Sequence, residues 1–92
     1  MADTQNNMAI VYQEQGKFQK ALELYDAVLE TTVRVVGHGH PSVAQTLKNI
    51  GIVHQNQGKR AEAKEFFSRA YTIFLDKLGP DHPETTMLKP LA

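Results

Sequence analysis

The sequence predicts an all-α fold of helical hairpins stacked side by side into a short superhelix. Three observations carry that expectation: segments that recur at a fixed spacing, apolar residues at helical intervals, and glycine and proline at the boundaries. Met8-Ala-Ile-Val-Tyr-Gln-Glu-Gln-Gly-Lys17 aligns with Ile50-Gly-Ile-Val-His-Gln-Asn-Gln-Gly-Lys59, and Gly37-His-Gly-His-Pro41 aligns with Gly79-Pro-Asp-His-Pro83. Both pairs share an offset of 42 residues with no gap. A period of roughly 20–50 residues marks an array in which each unit buries its apolar face against its neighbours. Such a stack presents surface to partners and has no natural place for a unique catalytic cleft.

Each element follows from its stripe. Met8, Val11, Tyr12 and Gln15 recur at helical spacing and end at Gly16, which gives a helix over about 2–15. Phe18, Ala21, Leu22, Tyr25, Val28, Leu29, Thr32 and Val36 give a longer one over about 18–36, ending at Gly37. Val43, Leu47, Ile50, Val53 and His54 give a third over about 42–57. Ala63, Phe67, Ala70, Phe74 and Leu78 give a fourth over about 60–78, ending at Gly79. Glycine closes each helix, where a left-handed residue is favoured. Pro41 and Pro83 suit the first turn of the following helix, where a missing N–H costs nothing. Val33-Arg-Val-Val36 is the only β-branched run, and it lies inside a helical stripe, so no strand is expected.

Composition narrows the function classes. Ten basic side chains balance ten acidic ones, which gives no global attraction to nucleic acid or to an anionic membrane. The balance conceals an asymmetry. Residues 1–41 carry three basic against five acidic side chains, a net of −2, and residues 42–83 carry six against four, a net of +2. There is no cysteine, hence no disulfide framework and no thiolate metal site. No basic leader with an apolar core opens the chain, and no run approaches the roughly 20 apolar residues of a membrane span. A cytoplasmic setting is the expectation.

These residues bring the chain to a known pattern. Ala44-Gln-Thr-Leu-Lys-Asn-Ile-Gly-Ile-Val-His-Gln-Asn-Gln-Gly-Lys59, followed by Ala63, Phe67 and Ala70 and then Leu78-Gly-Pro-Asp-His-Pro83, resembles a tetratricopeptide repeat of the 42-residue kinesin-light-chain type. Ala9, Tyr12, Gly16, Ala21, Tyr25 and Val28 stand at the matching places of the first copy. The resemblance covers nearly the whole chain and implies two tandem helical hairpins in a right-handed solenoid. They divide into a first repeat over 1–41, a second over 42–83 and the truncated start of a third over 84–92. Departures are few: His54 replaces a tyrosine, Arg60 an aromatic and Val28 a smaller residue. Gly51 costs about 1 kcal/mol of helicity relative to alanine, so close approach of two helices is the expected reason for it. Pro90 halts the third unit, and the first copy starts part-way through the pattern, so the expectation is either two repeats of a longer array or a very short stand-alone protein. No polar cap is visible, which leaves Phe66, Ile73 and Met87 expected on an open apolar end.

Catalytic and metal chemistry find little support. His40 and His82 precede prolines at equivalent positions, so loop structure accounts for them, and His38 and His54 have no acidic or histidine cluster at ligand spacing. Ser68 lacks a histidine three or four residues away, the one four residues before Ser42 is His38 in the loop ahead of the helix, and Gly37-His-Gly39 is too short to cradle phosphate. Lys59, Arg60 and Lys64, interleaved with Glu62 and Glu65, read as a solvated face. No enzyme activity, metal or cofactor is expected.

A binding face is the positive expectation. The resemblance implies a concave groove lined by the first helix of each repeat, which holds a peptide or a partner helix. Carried onto this chain, its residues are Asn6, Asn7, Ile10 and Gln13, flanked by Asp3 and Glu14, and then Gln45, Lys48, Asn49, Ile52, Gln55 and Asn56. Asn7 and Asn49 resemble groove asparagines that hydrogen-bond a ligand main chain, a task suited to an amide with both donor and acceptor. Lys48 would attract an acidic ligand. The expected role is a non-catalytic scaffold or adaptor with a protein partner. The alternative is a self-associating repeat fragment that forms a dimer or larger homo-oligomer through its uncapped ends.

Overall fold

In the computed structural model, which describes the backbone of residues 2–92 and side chains from Asn7 onward, five helices run in sequence. They are α1 (Ala2–Glu14), α2 (Phe18–Val36), α3 (Pro41–Asn56), α4 (Arg60–Leu78) and α5 (Pro83–Leu88). Among the described residues there is no strand. The two long second helices keep the bounds read from the sequence, while α1 and α3 each end one residue sooner than expected. Helix α1 packs on α2, α3 on α4, α2 on α3, and the short α5 on α4.

Local chemistry sets the turns. Gly58 sits at φ +78°, which lets the Lys59 N–H donate back to the His54 carbonyl at 2.9 Å while the Gly58 N–H donates to Gln55 at 3.0 Å. This pair of bonds satisfies carbonyls that the end of a helix would otherwise leave free. Gly16 and Lys17 repeat it with Gln13 and Tyr12. The His-Pro loops act at the other boundary. His40 Nδ1 accepts from the Ser42 N–H at 3.0 Å, and His82 Nδ1 accepts from the Glu84 N–H at 3.2 Å. Each imidazole therefore caps a helix N-terminus, doing what a serine or aspartate oxygen commonly does, with proline in the first turn behind it.

The core is organised around α3, whose two flanks serve two clusters. Ile50 and Val53 are buried with Ala9, Ala21 and Tyr25 of the first hairpin. Val43, Ala44 and Leu47 are buried with Ala63, Phe67, Ala70 and Phe74 of α4 and with Leu88 of α5. Gly51 allows the closest helix approach: a Cβ there would lie 2.7 Å from Cε1 of Phe67. Burial also acts on Tyr25, whose phenol is pushed above its ordinary pKa by loss of solvent. Its hydroxyl keeps one partner, donating to Gln13 Oε1 at 3.3 Å.

Three expectations about the apolar stripes are corrected. Met8 and Val11 are 45% and 49% exposed, although their counterparts Ile50 and Val53 are almost fully buried. Helix α2 covers that flank of α3, whereas no helix covers the corresponding flank of α1 among the described residues. Val36 and Leu78 are also exposed, because the 19-residue α2 and α4 outrun the 13- and 16-residue helices beside them. Phe66 does not lie on an open end. Its ring stacks on His54 at 5.3 Å between centroids, the Arg69 guanidinium sits 5.5 Å from it, and it is half-buried, as is Ile73. Met87 is exposed.

Candidate peptide-binding face

Helix α3 presents Gln45, Lys48, Asn49, Ile52, Gln55 and Asn56 at intervals of three and four residues, which aligns them along one side of the helix. At 100° per residue, the stripe centres about 160° from the midpoint of Val43 and Leu47, which are buried in the core. Gln45, Gln55 and Asn56 are exposed, and Lys48, Asn49 and Ile52 are half-buried. Ile52 rests its apolar body against the α3–α4 cluster. The side chain of Asn49 has no hydrogen-bond partner among the described residues.

The matching face of α1 is described in part. Asn7, Ile10 and Glu14 are exposed and Gln13 is half-buried. The side chains of Asp3 and Asn6 lie outside the described residues. Asn7 also borders a shallow depression of about 350 Å³ formed with Met8, Val11, Tyr12 and Gln15, so it stands at the edge between two faces of α1.

Two residues of the expected site are already engaged. Lys48 Nζ lies 3.0 Å from Glu84 Oε2 on α5, with side-chain exposures of 13% and 27%. Its charge is thus matched within the chain, and an acidic ligand would have to compete with Glu84. Gln13 accepts from Tyr25, which fixes its carbonyl oxygen toward the hairpin interior. The second repeat has no such tether, because Phe67 occupies the position of Tyr25 and Gln55 stays exposed.

The chemistry available on this face is that of recognition: amide donors and acceptors beside an aliphatic surface. Among the described residues no group of three or more His, Asp or Glu side chains converges as a metal-ligand set. Also among the described residues, no helix is long and apolar enough to cross a membrane. A larger cleft, of about 630 Å³, lies between α2 and α4. The sequence offered little sign of it, since Leu29 belongs to the core stripe and the cleft gathers residues from three separate helices.

The chain resembles known repeat structures along nearly its full length. The crystal structure of BtubC (BKLC) from P. vanneervenii superposes with a TM-score of 0.83 over 95% of this chain and 34% of that one, at 18% identity. A structure of nearly identical tetratricopeptide-like repeats from a P. anserina kinesin light chain gives a TM-score of 0.80 over 94% of this chain and 41% of that one, at 26% identity. The chain thus spans well under half the length of either structure. No curated relative matches the sequence. The tetratricopeptide repeat family profile matches residues 1–76, which is most of the chain. Repeats of this kind generally mediate protein–protein interaction and typically serve as non-catalytic scaffolds. The chain belongs to the tetratricopeptide repeat family.

Proposed function

We propose that this chain is a non-catalytic interaction module that holds a peptide or a partner helix along the α1–α3 face, in scaffold or adaptor work within the cytoplasm. The observation that carries the reading is the recurrence of Asn7 and Asn49 at the repeat offset on that face. The amide of Asn49, with no hydrogen-bond partner among the described residues, stands beside the half-buried Ile52. An amide that can both donate and accept suits a peptide main chain, and an adjoining aliphatic surface adds contact area for one side chain. Two first helices make a shallow groove, so the grip of this segment alone is weak. The test is affinity for the best binder from a peptide array. Asn49→Ala should weaken binding by about three- to tenfold, the worth of one hydrogen bond, with helicity unchanged. Equal affinity of the variant and the parent chain would remove Asn49 from the site.

A second reading rests on the exposed flank of α1. Met8 and Val11 occupy the repeat positions of Ile50 and Val53, which in α3 are covered by α2. A helix from a second copy laid on Met8 and Val11 would bury the same kind of surface. Sedimentation across a concentration series separates this reading from the first, because a strict monomer excludes it.

A further inference from the structure

Two histidines hold helix starts through an atom that a proton can occupy. At each loop between units the chain passes through an extended histidine directly before a proline, His40 at φ −83° and ψ 142° and His82 at φ −67° and ψ 140°. This backbone turns the ring onto the following helix, where Nδ1 of His40 accepts from the Ser42 N–H at 3.0 Å and Nδ1 of His82 from the Glu84 N–H at 3.2 Å. At the start of α3, Pro41 has no N–H, and the N–H groups of Val43 and Ala44 both reach the His40 carbonyl, at 2.9 and 3.3 Å. The Ser42 N–H is the donor of that turn that depends on the imidazole.

Acceptance at Nδ1 uses its lone pair, so the capping imidazole is neutral and carries its proton on Nε2. Uptake of a further proton puts a hydrogen on Nδ1 and sets it against the Ser42 N–H. It also places a cation at the positive end of the α3 dipole. Histidine is the side chain that changes charge between about pH 5 and 8. The unfolded chain has no cap to lose, so the stabilisation from this bond is whole at neutral pH and lost as pH falls.

The surroundings of His40 do not offset that charge. Among the described residues no carboxylate stands within ion-pair distance of either capping ring. From α4, Lys77 reaches the loop, with its Cε 3.8 Å from the place a Cβ on Gly39 would take, and Asp76 lies 3.7 Å from its ammonium. Asp26 and Glu30 of α2 and Arg69 of α4 line the cleft with His38 and Gly39, and Glu30 is already paired with Arg34. At His82 the loop carries Asp81, while the Glu84 carboxylate is drawn to Lys48 of α3. His40 is exposed, so solvent protons reach it directly, whereas His82 is half-buried.

We propose that the His40-Pro41 joint is an acid-sensitive switch: protonation of His40 at Nδ1 breaks the cap and releases the first turn of α3, loosening the second hairpin where it meets the first. Val43 and Ala44 belong to that turn and are buried with residues of α4, so its release reaches the core. The switch needs no ligand and stands whether or not the α1–α3 face holds a peptide.

The test compares the parent chain with His40→Asn, whose amide oxygen caps a helix without titrating. Between about pH 7.5 and about pH 5.5, the urea midpoint of the parent should fall by about 0.5–1 M more than that of the variant, the worth of one cap over the slope of a small domain. Nitrogen NMR of the imidazoles should show the His40 proton on Nε2 at neutral pH, and acid should shift the Ser42 amide in step with the His40 ring. Equal falls of parent and variant would overturn the proposal. So would a neutral His40 that carries its proton on Nδ1, or a Ser42 amide that stays in place while the His40 ring titrates.

Discussion

Replacing Gly51 with alanine sets two calculable effects against each other. In the interior of an exposed helix the change would stabilise by about 1 kcal/mol, because glycine carries more backbone entropy into the unfolded chain. Here the new methyl would lie 2.7 Å from Cε1 and 2.9 Å from Cδ1 of Phe67, where carbon atoms ordinarily approach no closer than about 3.5 Å. The ring must retreat by roughly 0.8 Å, the difference between that contact distance and the one the structure imposes. Phe67 is 2% exposed and shares its cluster with Ala63, Ala70 and Phe74, so its retreat displaces packed neighbours. Overpacking of this kind costs about 1–3 kcal/mol. The net expectation for Gly51→Ala is a loss of about 1 kcal/mol, read as a lower urea midpoint by circular dichroism or a fall in Tm of about 4–8 °C. The sign should reverse in a Phe67→Leu background, where the ring is gone and the helical gain of alanine is left. A coupling of at least about 1 kcal/mol between the two positions is expected from the double-mutant cycle. If Gly51→Ala stabilises the parent chain by the full helical increment, the close approach of α3 and α4 is not what holds glycine at this position.

Two further substitutions probe the half-buried polar contacts. Glu84→Ala leaves the Lys48 cation partly buried without its carboxylate, which should cost about 1–2 kcal/mol in urea unfolding, between the values for exposed and buried pairs. The same change frees Lys48, so anisotropy should show tighter binding of acidic peptides to the α1–α3 face. Burial raises the Tyr25 pKa, so the unfolded chain ionises first, near its ordinary pKa of about 10. Stability from this group is complete below that point and is lost as pH rises through the higher folded value, because the unfolded state releases its proton while the folded state retains it. Tyr25→Phe should flatten this alkaline decline and change stability at neutral pH by no more than about 1 kcal/mol, given that its one hydrogen bond is long.

What the sequence revealed follows from which interactions are local. Helix ends were readable because Gly58 and its counterpart Gly16 act within one turn, and proline marks helix starts from its own backbone. The close approach at Gly51 was readable because a glycine inside a strong helical stripe needs a packing reason. The polar capping by His40 and His82 was not, since histidine is an uncommon N-cap and only the loop geometry aims Nδ1 at the N–H two residues on. Helical periodicity identifies an apolar flank but not what covers it. Met8 and Val11 repeat the pattern of Ile50 and Val53, yet only the latter meet a neighbouring helix. Lys48 and Glu84 stand 36 residues apart, and nothing in the spacing of either announces the other. The stripe of candidate residues on α3 was legible as a helical face, but which of its members remain free to bind was decided by these distant contacts.

The most direct measurement is amide chemical-shift mapping of the labelled chain with the tightest peptide from an unbiased array. Binding along the first helices predicts that the largest shifts fall on Asn7 and Ile10 of α1 and on Asn49, Ile52, Gln55 and Asn56 of α3, with side-chain amide shifts at Asn49. A shift pattern that leaves these residues unmoved while the peptide saturates elsewhere would contradict the assignment of this face as the peptide-binding surface.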